Sequence, residues 1–228
     1  MKLYHDLTQC SFLCRVNRFI AKCLVDGEET VVHVKNTGRL RELLIPGAAC
    51  WLEKSGNPAR KTAYDLVAVE KNGRIINIDS QVPNLIAREW VENGGWAEGL
   101  ADIRSEYVLG DSRYDLTYMR GRNRGLIEVK GVTLFDEDGM ACFPDAPTSR
   151  GAKHLRGLIS AAREGMECGV CFVIMREDAA GLIPNDRTDP DFSAALREAA
   201  ANGVRIVAVC CRVTADSAEI VHTAPVHL

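Results

Sequence analysis

The chain has 228 residues, 46% of them apolar and 26% charged, with 8 prolines and a formal net charge of −3. That composition excludes a disordered or fibrous chain and fits a folded protein of one large or two modest domains. No stretch approaches the roughly 18 uncharged apolar residues of a membrane span, and MKLYHDLTQCSF lacks an apolar run with a small-residue cleavage site, so a cytoplasmic location is expected.

From Ser11 to about Asp79 the pattern is one of short alternating segments separated by turn signals. RVNRFIAKCLV runs to a turn at Asp26 and Gly27, then come ETVVHV, the NTG turn, AACWLE, SGNP, TAYDLVAVE, KNG and RIINID. About five strands at this spacing must close on themselves to cover their edges, and a small barrel of OB type over residues 1–80 is predicted. Between the second and third strands, GRLRELLIPG clusters its leucines and ends at Pro46 and Gly47.

After about Ser80 the rhythm changes, so residues 81–228 are read as a second, α/β domain. Asn84 is placed to cap a helix NLIAREWVE that Gly94 and Gly95 end. Three extended segments, IRSEYVL, RYDLTYM and LIEVKGVTLF, are joined by turns and read as an antiparallel meander. Thr148 or Ser149 can cap the next helix, which sets Leu155, Leu158, Ile159 and Ala162 on one face and stops at Gly165. A fully apolar strand VCFVIM, a helix DFSAALREAAANG, a strand VRIVAVCCRV and a short strand AEIVH complete a mixed sheet.

The 9 cysteines form an odd set, mostly in apolar strand contexts, and are expected to be reduced and buried. Cys168 and Cys171 make a C-x-x-C with no second pair and no histidine at zinc-finger spacing, so core packing is the expected role. Charge is uneven: residues 1–80 hold 12 Lys plus Arg against 9 Asp plus Glu (+3), the remainder 16 against 22 (−6).

The pair SRYD and LIEVK carries the chemistry. With a hairpin turn at Arg122 and Asn123, facing residues have numbers summing to 245, so Asp115 lies opposite Lys130, and period-2 alternation puts Glu128 on the same side. Two neighbouring carboxylates repel unless a cation joins them, and such oxygen ligands suit Mg²⁺ or Mn²⁺, with the Val129 carbonyl as a further donor. Lys130 would then orient a water and stabilise charge growing on a phosphodiester. A solvated edge strand with Glu128 and Lys130 in water has the same pattern.

The surrounding words are more specific. NRF at 17–19, H-x-x-N-T-G-R-L from His33 to Leu40, PG at 46–47, PN at 83–84, SRYDL, IEVKGVTL and FPDAPTSRGAKHL from Phe143 to Leu155 resemble the sugar fermentation stimulation protein A family along the whole chain. The resemblance implies an N-terminal OB-like barrel, a C-terminal PD-(D/E)xK nuclease-like domain with a central mixed sheet, binding of DNA without strong sequence preference, and a link to sugar utilisation. It places the nuclease-like motif on Asp115, Glu128 and Lys130, with Asn84 and Glu106 as candidate helpers; Asp145, Arg150 and His154 are further candidate helpers. Two positions depart from the family pattern: Lys35 stands where proline is frequent, and Ser149 where glutamate is common.

Arg15, Arg18, Lys35, Asn36, Arg39 and Arg41 are candidate contacts to a DNA or RNA backbone, and Arg120, Arg122, Arg124 and Lys153 form a second set. Arg150, Lys153 and His154 at a helix start could hold a phosphate. His33 is expected to be a satisfied strand histidine. Three functions fit: a metal-dependent nuclease, a DNA-binding regulator with a vestigial site, and an OB-type binder of another anionic ligand.

Overall fold

The computed structural model describes residues 1–228, which form two compact units: Met1–Val82 with Arg212–Glu219, and Pro83–Cys211 with Ile220–Leu228. Arg212–Glu219, which the sequence rhythm leaves in the second domain, thus groups with the first. No helix is long and apolar enough to cross a membrane.

In the first unit, β1 (Leu7–Arg15), β2 (Ile20–Val25), β3 (Glu28–Val34), β4 (Ala49–Lys54) and β5 (Tyr64–Lys71) run in the order β3-β2-β1-β4-β5, and a parallel pairing of β3 with β5 closes the barrel. β6 (Arg74–Asn77) adds to β5. Inward positions alternate as a half-buried strand requires, and Phe12, Ala21, Cys23, Val32, Val34, Cys50, Leu52 and Leu66 fill the interior. Such side chains contribute on the order of 1.5–3 kcal/mol each when fully buried, which lets a small barrel hold.

RVNRFIAKCLV is not one strand, and the first strand starts before Ser11, at Leu7. Two strands occupy that region, because Asn17 folds the chain back: its Oδ1 accepts from the Phe19 and Ile20 amides at 2.8 and 3.0 Å. GRLRELLIPG forms turns without a helix, held by burial of Leu40, Leu43 and Leu44.

The second unit is built on a six-stranded mixed sheet. Its strands are β7 (Ala101–Leu109), β8 (Ser112–Arg120), β9 (Asn123–Val132), β12 (Glu167–Ile174), β14 (Arg205–Val213) and β15 (Ala218–Ala224). The order is β15-β14-β12-β9-β8-β7; β12 is parallel to both neighbours and β7, β8 and β9 form the antiparallel meander. LIEVKGVTLF is not one strand: β9 stops at Val132, and β10 (Leu134–Phe135) joins β11 (Met140–Phe143) and β13 (Gly181–Pro184) in a separate small sheet. The helices are α1 (Val82–Glu92), α2 (Ser149–Arg163) and α3 (Pro190–Ala201).

The two faces of the sheet are distinguishable from alternation. Cys168, Val170, Phe172 and Ile174 of β12 share a core with Leu155, Leu158 and Ile159 of α2 and with Phe192 and Leu196 of α3. On the alternate side of β12, the absence of a side chain at Gly169 admits the ring of Trp96. Two further glycines bring helices close to the strands that matter: a side chain at Gly131 of β9 would collide with Pro83 of α1, and one at Gly157 of α2 with the Tyr114 hydroxyl of β8.

Helix α2 is fixed at its start. Thr148 caps it, its Oγ1 accepting from the Gly151 amide at 3.0 Å, while Asp189 accepts from the Thr148 amide at 2.7 Å and also caps α3 through the Phe192 amide at 3.0 Å. One buried carboxylate therefore serves both helix starts.

Candidate functional site

The β8–β9 ladder runs from Arg120↔Asn123 to Leu116↔Ile127 and stops there. Paired numbers sum to 243, not 245, because the turn is at Gly121 and Arg122, with Gly121 at φ +61° supplying the left-handed residue that a tight hairpin favours. The ladder ends before Asp115, so no backbone pairing sets that residue opposite Lys130.

Regular alternation also fails at Asp115. Tyr114 joins the core shared with α2, whereas Tyr118 of the same strand bonds Trp96 on the other face. Asp115 occupies the interruption, and its side chain replaces the missing ladder: Oδ2 accepts from the Val129 amide at 2.8 Å and Oδ1 from Asn84 Nδ2 at 2.9 Å. Asn84 is thus no helix cap; α1 starts two residues earlier, and Asn84 in its first turn reaches the carboxylate. Asp115 meets the Val129 N–H, where the sequence suggested a role for that residue's carbonyl.

Glu128 faces α2 and is 2% exposed. Its Oε1 receives Lys130 Nζ at 2.5 Å and His154 Nδ1 at 2.6 Å, and its Oε2 is buried with no hydrogen-bond partner. Burial would raise the pKa of Glu128, but the His154 and Lys130 contacts outweigh it and hold the carboxyl below its usual range. Asp115 goes the other way: burial first, then the charge of Glu128, push it above its usual range against the Val129 amide, Lys130 and Asn84. The two carboxylates therefore sense one another, as the residue types predicted, although through an opened ladder.

The expected helpers divide. Asn84 and His154 enter the site, and Arg150 reaches it through His154, its Nε donating to His154 Nε2 at 3.3 Å. Asp145 is half-buried in the segment before α2. Glu106 does not join: it is exposed, at φ +61°, and pairs with Arg113 at 3.3 Å. The link from His154 to Glu128 was missed in the sequence, which set His154 among phosphate contacts. Its spacing held the signal, since residues 151, 154, 155 and 158 form the buried stripe of α2.

The expected polyanion contacts also divide. Lys35 turns inward, 2.9 Å from Asp79, 3.6 Å from Asp65 and 3.9 Å from Glu53. Arg15 is a clamp: its guanidinium donates to the carbonyls of Gly38, Arg39, Arg18 and Asn36 at 2.7–2.8 Å, and Asn36 is itself bonded to the Ile78 carbonyl and the Gly38 amide. Arg120 pairs with Glu167 and Lys153 with Asp111, each at 2.6 Å, and Arg124 lies over the Tyr107 ring. Arg18, Arg39, Arg41 and Arg122 are exposed. His33 is a satisfied strand histidine, its Nδ1 2.8 Å from Asp65. All 9 cysteines are free thiols, with Cys168 and Cys171 buried, and nowhere in the chain do three or more His, Cys, Asp or Glu side chains cluster as a ready metal cage.

Comparison with known proteins gives a consistent picture. Residues 13–78 match the family model described as the SfsA N-terminal OB domain, and residues 81–217 that of the sugar fermentation stimulation protein RE domain. A sugar fermentation stimulation protein homolog from Desulfitobacterium hafniense is 48% identical over 216 residues, covering 95% of this chain and 94% of that one. The homolog from Clostridium beijerinckii is 45% identical over 217 residues, covering 95% and 96%. A solved structure, described as Pyrococcus furiosus SfsA in complex with Ca²⁺, is similar over 100% of both chains with a TM-score of 0.90 and 29% identity.

Proposed function

The chain belongs to the sugar fermentation stimulation protein family, and from that premise we propose that it is a cytoplasmic nucleic-acid-binding protein whose second unit carries a divalent-metal phosphodiesterase site at Asp115, Glu128 and Lys130. The observation that carries this is the bare Oε2 of Glu128. A buried carboxylate oxygen without a donor costs on the order of 1–3 kcal/mol, more for a charged group, and a second carboxyl, Asp115, is pushed above its usual pKa by burial and then by the charge of Glu128. Hard oxygen donors with one open position suit Mg²⁺ or Mn²⁺. That the Pyrococcus relative was solved with Ca²⁺ supports an ion of this type.

Asp115 and Glu128 would hold the metal, which supplies Lewis acidity toward a phosphoryl oxygen and its bound water. Asn84 and the Val129 amide keep Asp115 oriented. Lys130, whose ammonium sits on Glu128, would meet the charge that develops on a phosphodiester. Arg18, Arg39, Arg41 and Arg122 are exposed and are the side chains assigned to the phosphate backbone; Lys35 is engaged with carboxylates and Arg15 with loop carbonyls.

The test is to incubate purified protein with single- and double-stranded DNA and RNA, with Mg²⁺ or Mn²⁺. Cleavage by the native chain and none by Asp115→Ala is expected, and equal cleavage by both would assign the activity to a contaminant. Salt-sensitive binding without cleavage under any divalent ion would favour a non-catalytic DNA-binding regulator. In binding titrations, Arg18→Ala should lower the log–log salt slope by roughly 0.9 if it touches one duplex phosphate.

A further inference from the structure

The contact between α2 and Glu128 fixes more than a carboxylate's position. Arg150 Nε always carries its hydrogen and can only donate, so His154 Nε2, 3.3 Å away, must accept. With Nε2 accepting, Nδ1 is the nitrogen that carries the hydrogen and donates to Glu128 Oε1 at 2.6 Å. Lys130 Nζ donates to the same oxygen at 2.5 Å. Both donors thus load Oε1, and Oε2 is left buried and unpartnered. His154 is 5% exposed, its ring tilted against that of Tyr114 at 5.7 Å, on a helix whose start is capped by Thr148.

We propose that His154, held in its Nδ1–H tautomer by Arg150, is a positioning residue that pins Oε1 of Glu128 and thereby presents Oε2 to the divalent cation. The inference rests on the metal-site reading above and adds to it the residue that decides which carboxylate oxygen is offered. A histidine does for a carboxylate ligand here what a carboxylate commonly does for a histidine ligand: it fixes rotamer and orientation from outside the coordination sphere, a role whose loss typically weakens metal binding about 10–100-fold. Lys130 cannot substitute, since its ammonium sits on a flexible stem and holds no fixed direction.

The experiment is Mn²⁺ titration of the full chain by calorimetry and by electron paramagnetic resonance, with no nucleic acid present. The native protein should bind Mn²⁺ and Glu128→Gln should not. His154→Phe, which keeps the ring and removes the donor, should bind about 10–100-fold more weakly, and His154→Asn, whose amide nitrogen lies near the place of Nδ1, should recover most of the loss. Native-like affinity in His154→Phe overturns the inference and leaves the metal site standing; absence of Mn²⁺ binding in the native chain overturns both. Because His154→Phe leaves Glu128 short of a donor and risks misfolding, imidazole ¹⁵N NMR of the native protein provides a second arm. A proton on Nδ1 is expected, and a proton on Nε2 overturns the inference.

Discussion

In the barrel, Asp65 and Asp79 share Lys35, Arg60 and His33; in the second unit, Asp115 and Glu128 share Lys130 and His154. The ingredients are alike and the outcomes differ. Every oxygen of the barrel pair is filled: Asp65 receives His33 and Arg60 on Oδ1 and Arg60 on Oδ2, and Asp79 receives the Gln81 amide on Oδ1 and Lys35 on Oδ2. Two buried carboxylates, with the half-buried Glu53 3.9 Å from Lys35, have every oxygen met by a donor from Lys35, Arg60, His33 or a backbone amide, which is how a folded structure disposes of buried charge. In the second unit two carboxylates meet one permanent cation, both of Glu128's donors crowd one oxygen, and the other is left bare. The first cluster is saturated, as a structural one should be; the second keeps one open carboxylate oxygen, which is where the proposed ion would sit.

The largest expected effect breaks the saturated cluster. Asp65→Ala leaves Arg60, Lys35 and His33 without their shared anion and should destabilise the barrel by about 3 kcal/mol, toward the low end for a buried pair because the partners reach solvent; urea unfolding measures it. The effect carries a pH signature. Burial raises the pKa of Asp65, but Arg60, His33 and Lys35 outweigh it and set it below its usual range. Its contribution is therefore full above the unfolded value of about 3.9 and is lost as pH falls through the lower folded value. The stability gap between native protein and Asp65→Asn should be flat near neutrality and close in acid, and a gap that widens in acid would break the assignment.

Next comes a test of the deficit itself. At about 100 times its dissociation constant a divalent ion should stabilise the native state by about 2.7 kcal/mol. The gain should appear in the unfolding of the second unit, survive Asp65→Asn and vanish in Glu128→Gln. If Mn²⁺ instead protected the barrel, the contrast between the clusters would be reversed.

How far this contrast could be read in advance depends on what each residue needs. The barrel's rhythm and the start of α2 at Thr148 are local patterns, visible in a few residues, and the structure keeps both. Asp115, Glu128 and Lys130 were marked by residue type, but the ladder ends before Asp115, which reaches β9 through its side chain on the Val129 amide instead of by strand pairing. What stayed hidden depends on tertiary geometry. Nothing in RVNR says that Arg15 will meet four carbonyls, nor in HVKN that Lys35 will turn inward to three carboxylates. The full length of β1, the separate β10, and the arrest of the β8–β9 ladder at Leu116 likewise arise from pairing partners far along the chain.

The smallest effect is also the most pointed, because stability and binding should move in opposite directions. Asp115 is held above its usual pKa by burial and by Glu128. A carboxyl with a raised folded pKa favours folding only while protonated, so its contribution is present below the unfolded value and is lost as pH rises through the folded one. Above that range, with divalent ions chelated, keeping a carboxyl at this position costs the fold stability. Asp115→Asn removes the charge, its amide oxygen can still accept from the Val129 amide, and a flip of the Asn84 amide restores the other bond. In chelator the variant should gain about 1 kcal/mol, the size expected when a site kept for function is relaxed, and should lose Mn²⁺-dependent stabilisation entirely. A variant less stable than the native chain in chelator would mean that Asp115 belongs, like Asp65, to a satisfied structural cluster.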